Sequence, residues 1–155
     1  MARRSTKTVI DRDLGWKRLG KALRDTSWNA VDVGVPSGSQ RRDGGPTNAE
    51  VYAWHEYGTG TIPKRSSLRA TFDKNFLLYQ KIGATLGLQV LLGRIPKRQA
   101  LQILGLKFAN DIKAAIRAGI PPALAESTAA AKRSTTPLID TGQLIGAIKA
   151  VVVRK

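Results

Sequence analysis

The 155-residue chain contains no cysteine, which excludes disulfides, thiolate chemistry and zinc sites built from cysteine. Its one histidine, His55, excludes a zinc site of the HExxH type, because that site needs two histidines. No apolar run approaches the roughly 20 residues needed to span a bilayer, and the basic N-terminus has no apolar signal-peptide segment. We therefore expect no metal, no cofactor and no membrane partner.

Catalytic motifs are missing as well. The chain has no GxSxG, Walker A or GxGxxG pattern. The adjacent pair His55-Glu56 is not a ready dyad, because neighbouring residues of a helix point about 100° apart. Acid–base work by two carboxylates would need folding to bring together two of Glu50, Glu56, Glu126 and Asp140. We expect a protein that is not an enzyme, with His55 partly buried beside Glu56 or a loop carbonyl.

Acidic residues are few compared with basic ones. Lys plus Arg is 26 and Asp plus Glu is 11, so the formal net charge is +15. A charge of this size implies an anionic partner, which could be nucleic acid, a membrane surface or an acidic protein face. An excess of one sign on a solvated surface is the equally weighted alternative.

Two basic segments could touch nucleic acid without reading its sequence. We expect residues 1–10 to form a flexible basic arm and residues 36–45 to form a mobile loop with a basic tip. The candidate contacts in these segments are Arg3, Arg4, Lys7, Arg41 and Arg42. A basic, non-specific nucleic-acid-binding protein is therefore one functional hypothesis.

Hydrophobic periodicity predicts a single α+β domain over residues 11–155, with a small antiparallel sheet packed against a long helical hairpin and extended loops. The predicted elements are a helix over 13–25, a strand over 28–35, a helix over 47–57, a helix from Ser66 or Ser67 to about Arg94, a helix over 97–118, a short helical turn over 124–131, a short helix to about Gly146 and a strand over 147–154. The last strand could pair with Val31–Val35.

Several local expectations accompany this pattern. Thr47 and Glu50 have the spacing of a capping box, as do Asp140 and Gln143. A side chain of Ser66 or Ser67 should cap the first long helix. Two further expectations concern packing. Val51, Trp54 and Tyr57 should face inward together from the helix over 47–57. Gly83 should be a place where the first long helix is closely approached.

Two segments resemble a known family. AEVYAWHEYGTGTIPKRSSLRATFD resembles the "EFGT…IPARPFLR" signature of small phage virion proteins, and IPPALAESTAAAKRSTTPLIDTGQLIGAI resembles their "PL…ST…K…PLIDTGQL…SI" ending. These are the tail-completion or head–tail joining proteins of tailed bacteriophages, related to Mu-like virion morphogenesis proteins. Both segments occur in the family's order, separated by a helical hairpin. Ser66-Ser67 stands where the family has Pro-Phe, so the packing of this turn should differ.

The resemblance implies a structural virion protein that forms a ring in the neck between capsid and tail, with DNA passing through the lumen. Its partners would be itself, in six or twelve copies, and the adjacent neck proteins on the portal or adaptor side and on the tail-terminator or tail-tube side. It would reside in the virion, and in the host bacterial cytoplasm during assembly. A tail terminator is an alternative within the same class.

The resembling segments supply the candidate interface residues. Arg65 and Arg69 could reach carboxylates or carbonyls of a neighbouring subunit. The candidates for contacts between subunits or with partners are His55, Glu56, Tyr57, Gly58, Thr59, Ile62, Pro63, Arg65, Leu68, Arg69, Asp140, Thr141, Gly142 and Leu144.

Overall fold

The fold is seen in a computed structural model that describes residues 12–24, 30–39, 45–123, 138 and 142–154. In chain order, its elements are α1 (Trp16–Arg24), β1 (Ala30–Gly34), α2 (Asn48–Tyr57), α3 (Leu68–Leu91), α4 (Lys97–Ala118), α5 (Gln143–Ala147) and β2 (Lys149–Val153). This confirms the predicted α+β class and the helical hairpin. The predicted arm over 1–10, the loop tip Arg41-Arg42, the turn over 124–131 and the cap at Asp140 lie outside the described residues.

Side chains cap the N-termini of α1 and α2, and the cap of α2 is the predicted one. Asp13 Oδ1 accepts the backbone N–H groups of Gly15 at 3.0 Å, Trp16 at 2.7 Å and Lys17 at 3.4 Å. Thr47 and Glu50 form the full capping box at the start of α2. In both cases, a side-chain oxygen satisfies N–H groups that have no partner inside the helix.

The sheet consists of β1 and β2 in antiparallel register, from Ala30 opposite Val153 to Gly34 opposite Lys149. Alternation of apolar residues with Asp32 along β1 places one face of the strand toward the protein and Asp32 toward solvent. The inward face of both strands packs on α4. The predicted pairing of the last strand with Val31–Val35 is therefore confirmed.

The hairpin of α3 and α4 carries the aromatic packing of the protein. The Phe108 ring lies 5.6 Å from the Phe72 ring and 5.2 Å from the Tyr79 ring, measured between centroids. Helix α3 ends at Leu91, before the predicted end near Arg94, because Gly93 in the connection takes a positive φ of 67°. Helix α4 has the predicted bounds.

A close approach of backbone to sheet occurs at Gly105 of α4, and not at the predicted Gly83. A Cβ atom on Gly105 would lie 2.5 Å from Val31 Cγ2 and 2.9 Å from the Cβ atom of Ala150, whereas the Cβ position of Gly83 has nothing within 4 Å. The expectation for Gly83 is therefore wrong. Gly105 sits beneath both strands, so its missing side chain lets the sheet lie directly on α4.

The buried core lies between α2, the C-terminal half of α4 and the segment that leads into β2. Its members are Tyr52, Ala109, Ile112, Ile116, Leu138, Leu144 and Ile148. The core thus joins the short helix α2 to the segment that leads into the last strand.

Within the described residues, none of the helices has both the length and the apolar character needed to cross a membrane.

Replacing Gly105 with alanine should destabilise the protein by about 1–3 kcal/mol, because the added methyl group overpacks against both strands. Gly87→Ala is the matched control, since its Cβ position in α3 is open. That change should stabilise the protein by about 0.5–1 kcal/mol through helix propensity. Urea unfolding followed by circular dichroism measures both; an unchanged midpoint for Gly105→Ala would contradict the close packing.

Candidate functional site

The first resembling segment is organised around the carboxylate of Glu56, in the last turn of α2. Its Oε2 accepts the backbone N–H groups of Ser67 at 2.8 Å and Leu68 at 3.0 Å. Its Oε1 accepts the backbone N–H of Arg69 at 3.0 Å and the hydroxyl of Ser66 at 2.6 Å. We call this arrangement of Glu56 and residues 66–69 the Glu56 joint.

The Glu56 joint caps α3 from outside the helix. Ser67 is the N-cap residue, but its backbone is helical and its side chain makes no capping hydrogen bond. The predicted cap position is therefore confirmed at Ser67, but the capping hydrogen bonds come from the carboxylate of another helix and not from the serine side chain. A negative charge here also interacts favourably with the positive end of the helix dipole.

Both serines of this turn take part in the joint. Ser66 donates its hydroxyl to Glu56, and Ser67 donates its backbone N–H. A proline at position 66 would have no hydroxyl to donate. The turn is thus held by polar contacts to a buried carboxylate.

Glu56 is buried, with only 8% of its surface exposed. Burial alone raises the pKa of its carboxyl group, but the hydrogen bonds from Ser66, Arg69, Leu68 and Ser67 outweigh burial and hold the pKa below its ordinary value. The carboxylate is therefore ionised at neutral pH, with these four donors and, at 3.5 Å, the hydroxyl of Ser67 around its two oxygens.

The loop between α2 and the joint is held by its own hydrogen bonds. Gly58 ends α2 with a φ of 82°, and its N–H donates to the carbonyl of Trp54 at 2.8 Å. Thr59 then bonds Ile62 twice: its N–H donates to the Ile62 carbonyl, and its hydroxyl accepts the Ile62 N–H. These contacts reverse the chain after α2, and the positive φ of Gly58 is one that glycine adopts without strain.

Arg65 is buried to 4% exposure and fixes the other end of this loop. Its backbone N–H donates to the carbonyl of His55 at 2.6 Å. Its guanidinium donates from Nε to the carbonyl of Pro122 at 2.8 Å and from Nη2 to that of Ala123 at 3.0 Å. The expectation that Arg65 reaches a neighbouring subunit is thus corrected: both carbonyls belong to its own chain.

The inward face of α2 differs from the predicted one. The buried side chains are Asn48, Tyr52 and Glu56, spaced by four residues, whereas Trp54 is 39% exposed and Tyr57 is 75% exposed. Apolar spacing misled the prediction because the helix is rotated to bring a carboxylate inward. Val51, the third predicted residue, is partly buried against the core.

Tyr52 links the core to the joint. Its hydroxyl lies 2.6 Å from Ser67 Oγ in a buried hydrogen bond. Burial raises the pKa of Tyr52 to about 12, with the Ser67 hydrogen bond lowering it and the nearby Glu56 charge raising it. The tyrosine stays neutral and keeps its proton available for this bond.

The predicted interface residues fall into different environments. Glu56, Arg65 and Leu144 are buried inside the chain, so they contribute to a partner surface only indirectly. The partly buried candidates are His55, Gly58, Ile62, Leu68 and Gly142, and the exposed ones are Tyr57, Thr59, Pro63 and Arg69. Asp140, Thr141 and the basic candidates Arg3, Arg4, Lys7, Arg41 and Arg42 lie outside the described residues.

Sequence reasoning missed Tyr52, Ser67 and the carbonyls of Pro122 and Ala123 as parts of this site. The only available signal was the position of Glu56 four residues after an aromatic residue, which places both on one helical face. Nothing in the local sequence connects Arg65 to Pro122 and Ala123, which lie 57 and 58 positions further along the chain.

The polar groups of this site are used within the chain. Both oxygens of Glu56 are engaged by internal donors, so this carboxylate is not positioned to take a proton from a substrate. Among the described residues, no group of three or more His, Cys, Asp or Glu side chains is arranged to hold a metal ion. The arrangement holds three parts of the chain in fixed positions.

Comparison of this chain with protein-family models, with curated proteins and with solved structures gave no match in any of the three. The resemblance to phage neck proteins therefore stays a prediction.

Glu56→Gln should destabilise the protein by about 2–4 kcal/mol, because it removes a charge-assisted cap and points an amide N–H₂ at backbone donors. Asp73→Asn is the matched control on the exposed surface of α3, with an expected change within about 0.5 kcal/mol. Urea unfolding at neutral pH measures both changes. Equal midpoints for the two variants would contradict the capping role.

The loss of stability caused by Glu56→Gln should also depend on pH. Because folding lowers the pKa of Glu56, its stabilising contribution is present above the ordinary pKa of about 4.3 and is lost as pH falls through the folded-state pKa. The gap in unfolding free energy between wild type and Glu56→Gln should therefore narrow on acidification below about pH 4.3. A constant gap would show that its charge does not stabilise the fold.

Proposed function

We propose that this protein is a structural subunit of the neck of a tailed bacteriophage. It forms a ring between capsid and tail, contacts adjacent neck proteins and lets DNA pass through the lumen. It carries no chemistry of its own; its function is ring closure and docking. The copy number proposed is six or twelve, and the subunit belongs to the virion.

One observation supports this proposal above the others. The two resembling segments, separated by the whole hairpin, meet through the hydrogen bonds from Arg65 to Pro122 and Ala123. Tyr52 of the first segment also shares the buried core with Leu144 and Ile148 of the second. Two short patterns that form one structural unit are stronger support for a common architecture than either pattern alone.

The joint suggests how such a subunit would serve a ring. Glu56 and Arg65 set the angle between α2 and the hairpin with buried, charge-assisted hydrogen bonds, which are shorter and stronger than neutral ones. A fixed angle matters because small angular errors accumulate around a closed ring. The exposed residues of the same segment, Tyr57, Thr59, Pro63 and Arg69, are then the proposed contacts with neighbours.

A nonsense mutation in the gene for this chain, in the phage genome that carries it, tests the proposal. Electron microscopy of the lysate should show DNA-filled heads and separate finished tails that fail to join, and plasmid-borne wild type should restore joined particles. Normal joined particles would overturn the neck proposal. Missing or overlong tails would instead favour the tail-terminator alternative.

Complementation with two surface variants tests the interface. Tyr57→Ala removes a 75% exposed aromatic side chain from the resembling segment, and Leu77→Ala removes a 72% exposed apolar one from α3 outside that segment. Tyr57→Ala should weaken each subunit contact by about 2 kcal/mol or more and lower particle yield. Leu77→Ala should complement like wild type. Circular dichroism confirms folding of both; equal yields would remove Tyr57 from the interface.

A further inference from the structure

A groove lined by cationic side chains lies at the end of the molecule remote from the Glu56 joint. It runs between α1 and the connection from α3 to α4, with a volume of about 410 Å³. Four of its lining residues are basic, namely Arg18, Lys21, Arg94 and Lys97. The other described lining residues are Ala22, Val90, Gly93, Ile95 and Pro96, so none of them carries a carboxylate. We call this feature the cationic groove.

The arginines of the cationic groove are held by neutral partners. Arg18 Nη1 donates to the carbonyl of Leu92 at 3.4 Å, and the side chain passes over Gly93, where an added Cβ would lie 2.5 Å from Arg18 Cδ. Arg94 Nη1 donates to Gln89 Oε1 at 3.4 Å. A carbonyl or an amide orients a guanidinium without cancelling its charge, so these two cations retain their charge toward an anion.

Cations lie at two helix ends in this region. Lys97 is in the first turn of α4, and that turn contains no acidic residue. A cation at a helix N-terminus interacts unfavourably with the helix dipole. Lys21 and Arg24, by contrast, are favourably placed in the last turn of α1. The helix dipole therefore does not account for Lys97 in the groove, whereas an anion bound there would interact favourably with both the lysine and the helix N-terminus.

The cations continue along α1 beyond the groove. Lys17, Lys21 and Arg24 are spaced by four and three residues, so they share one face and follow one another at about 4.5–6 Å along the helix axis. Asp13 is the one acidic residue within 12–24, and its Oδ1 is taken up by the cap of α1. A row of cations leading into a concave cationic groove matches a linear polyanion better than a single small anion.

We propose that the cationic groove binds the phosphate backbone of nucleic acid without reading its sequence. The chemistry recognised is a series of phosphodiester groups, of which duplex DNA presents one per about 1.7 Å of helix axis. The groove is concave, its floor is the chain connection, and the row of cations on α1 leads into it. The proposal goes beyond the neck function and does not depend on ring formation.

The test uses the purified full chain and two variants of equal charge. In the groove variant, Lys21→Gln, Arg94→Gln and Lys97→Gln are combined. In the control variant, Lys74→Gln, Lys113→Gln and Arg117→Gln are combined on the half of the hairpin remote from the groove. Each set replaces two lysines and one arginine, so overall charge falls equally. A third variant keeps the groove's charge through Lys21→Arg, Arg94→Lys and Lys97→Arg.

Fluorescence anisotropy with a short duplex of mixed sequence, over about 50–200 mM salt, measures affinity and its salt dependence. The groove variant should bind at least about tenfold more weakly, with a log–log salt slope smaller by about 2–3, since each lost phosphate contact contributes about 0.9. The control and charge-preserving variants should bind like wild type. Circular dichroism of every variant separates lost binding from lost folding.

Three results would overturn the proposal. The first is equal weakening in the groove and control variants, which would mean that charge acts diffusely over the whole surface. The second is displacement of duplex by inorganic triphosphate at equal phosphate concentration, which would make the site one for a small anion. The third is binding of vesicles with anionic headgroups to wild type but not to the groove variant, when wild type does not bind duplex. Normal groove binding by the purified chain, together with normal joined particles from the nonsense mutant, would leave this proposal intact and refute the neck proposal.

Discussion

The carboxylate of Glu56 lies at the end of one helix and receives the first N–H groups of another, so a single charged group fixes two elements at once. An ionised carboxylate loses most of its hydration when it is buried, and it remains ionised here because four donors replace that water. The rest of the region follows from satisfying this group. The rotation of α2, the reversal at Gly58 and the hydrogen bond of Tyr52 to Ser67 all serve to bring donors and carboxylate together.

Arg65 adds a second buried charge nine residues after Glu56, and its hydrogen-bond partners are of a different kind. The guanidinium donates to backbone carbonyls that follow α4, which carry partial negative charge but no counter-ion. The two buried charges are of opposite sign and belong to the same short connection. Together they attach α2 to both ends of the hairpin, so that one loop determines the placement of all three helices.

Much of this fold could be predicted from the sequence. The bounds of α4 followed from regular apolar spacing ended by Gly119, and the capping box of α2 followed from Thr47 and Glu50. The parts that failed depend on contacts between distant residues. An exposed Tyr57 and a buried Glu56 reverse the usual preference, and only the presence of the α3 N-terminus explains that reversal. Gly105 could not be told from Gly83 in sequence, because the difference is which helix face meets the sheet.

The contact between Arg65 and Pro122 also bears on the order in which the chain folds. The two residues are 57 positions apart, and the hairpin between them is held by contacts of shorter range. Contacts that join distant parts of a chain require loop closure, so local helical structure tends to form before them. We therefore expect the hairpin to govern how fast the protein folds, whereas the arginine governs how long the folded state persists. For the neck subunit proposed above, slow unfolding matters more than fast folding, because its shape must persist in the assembled particle.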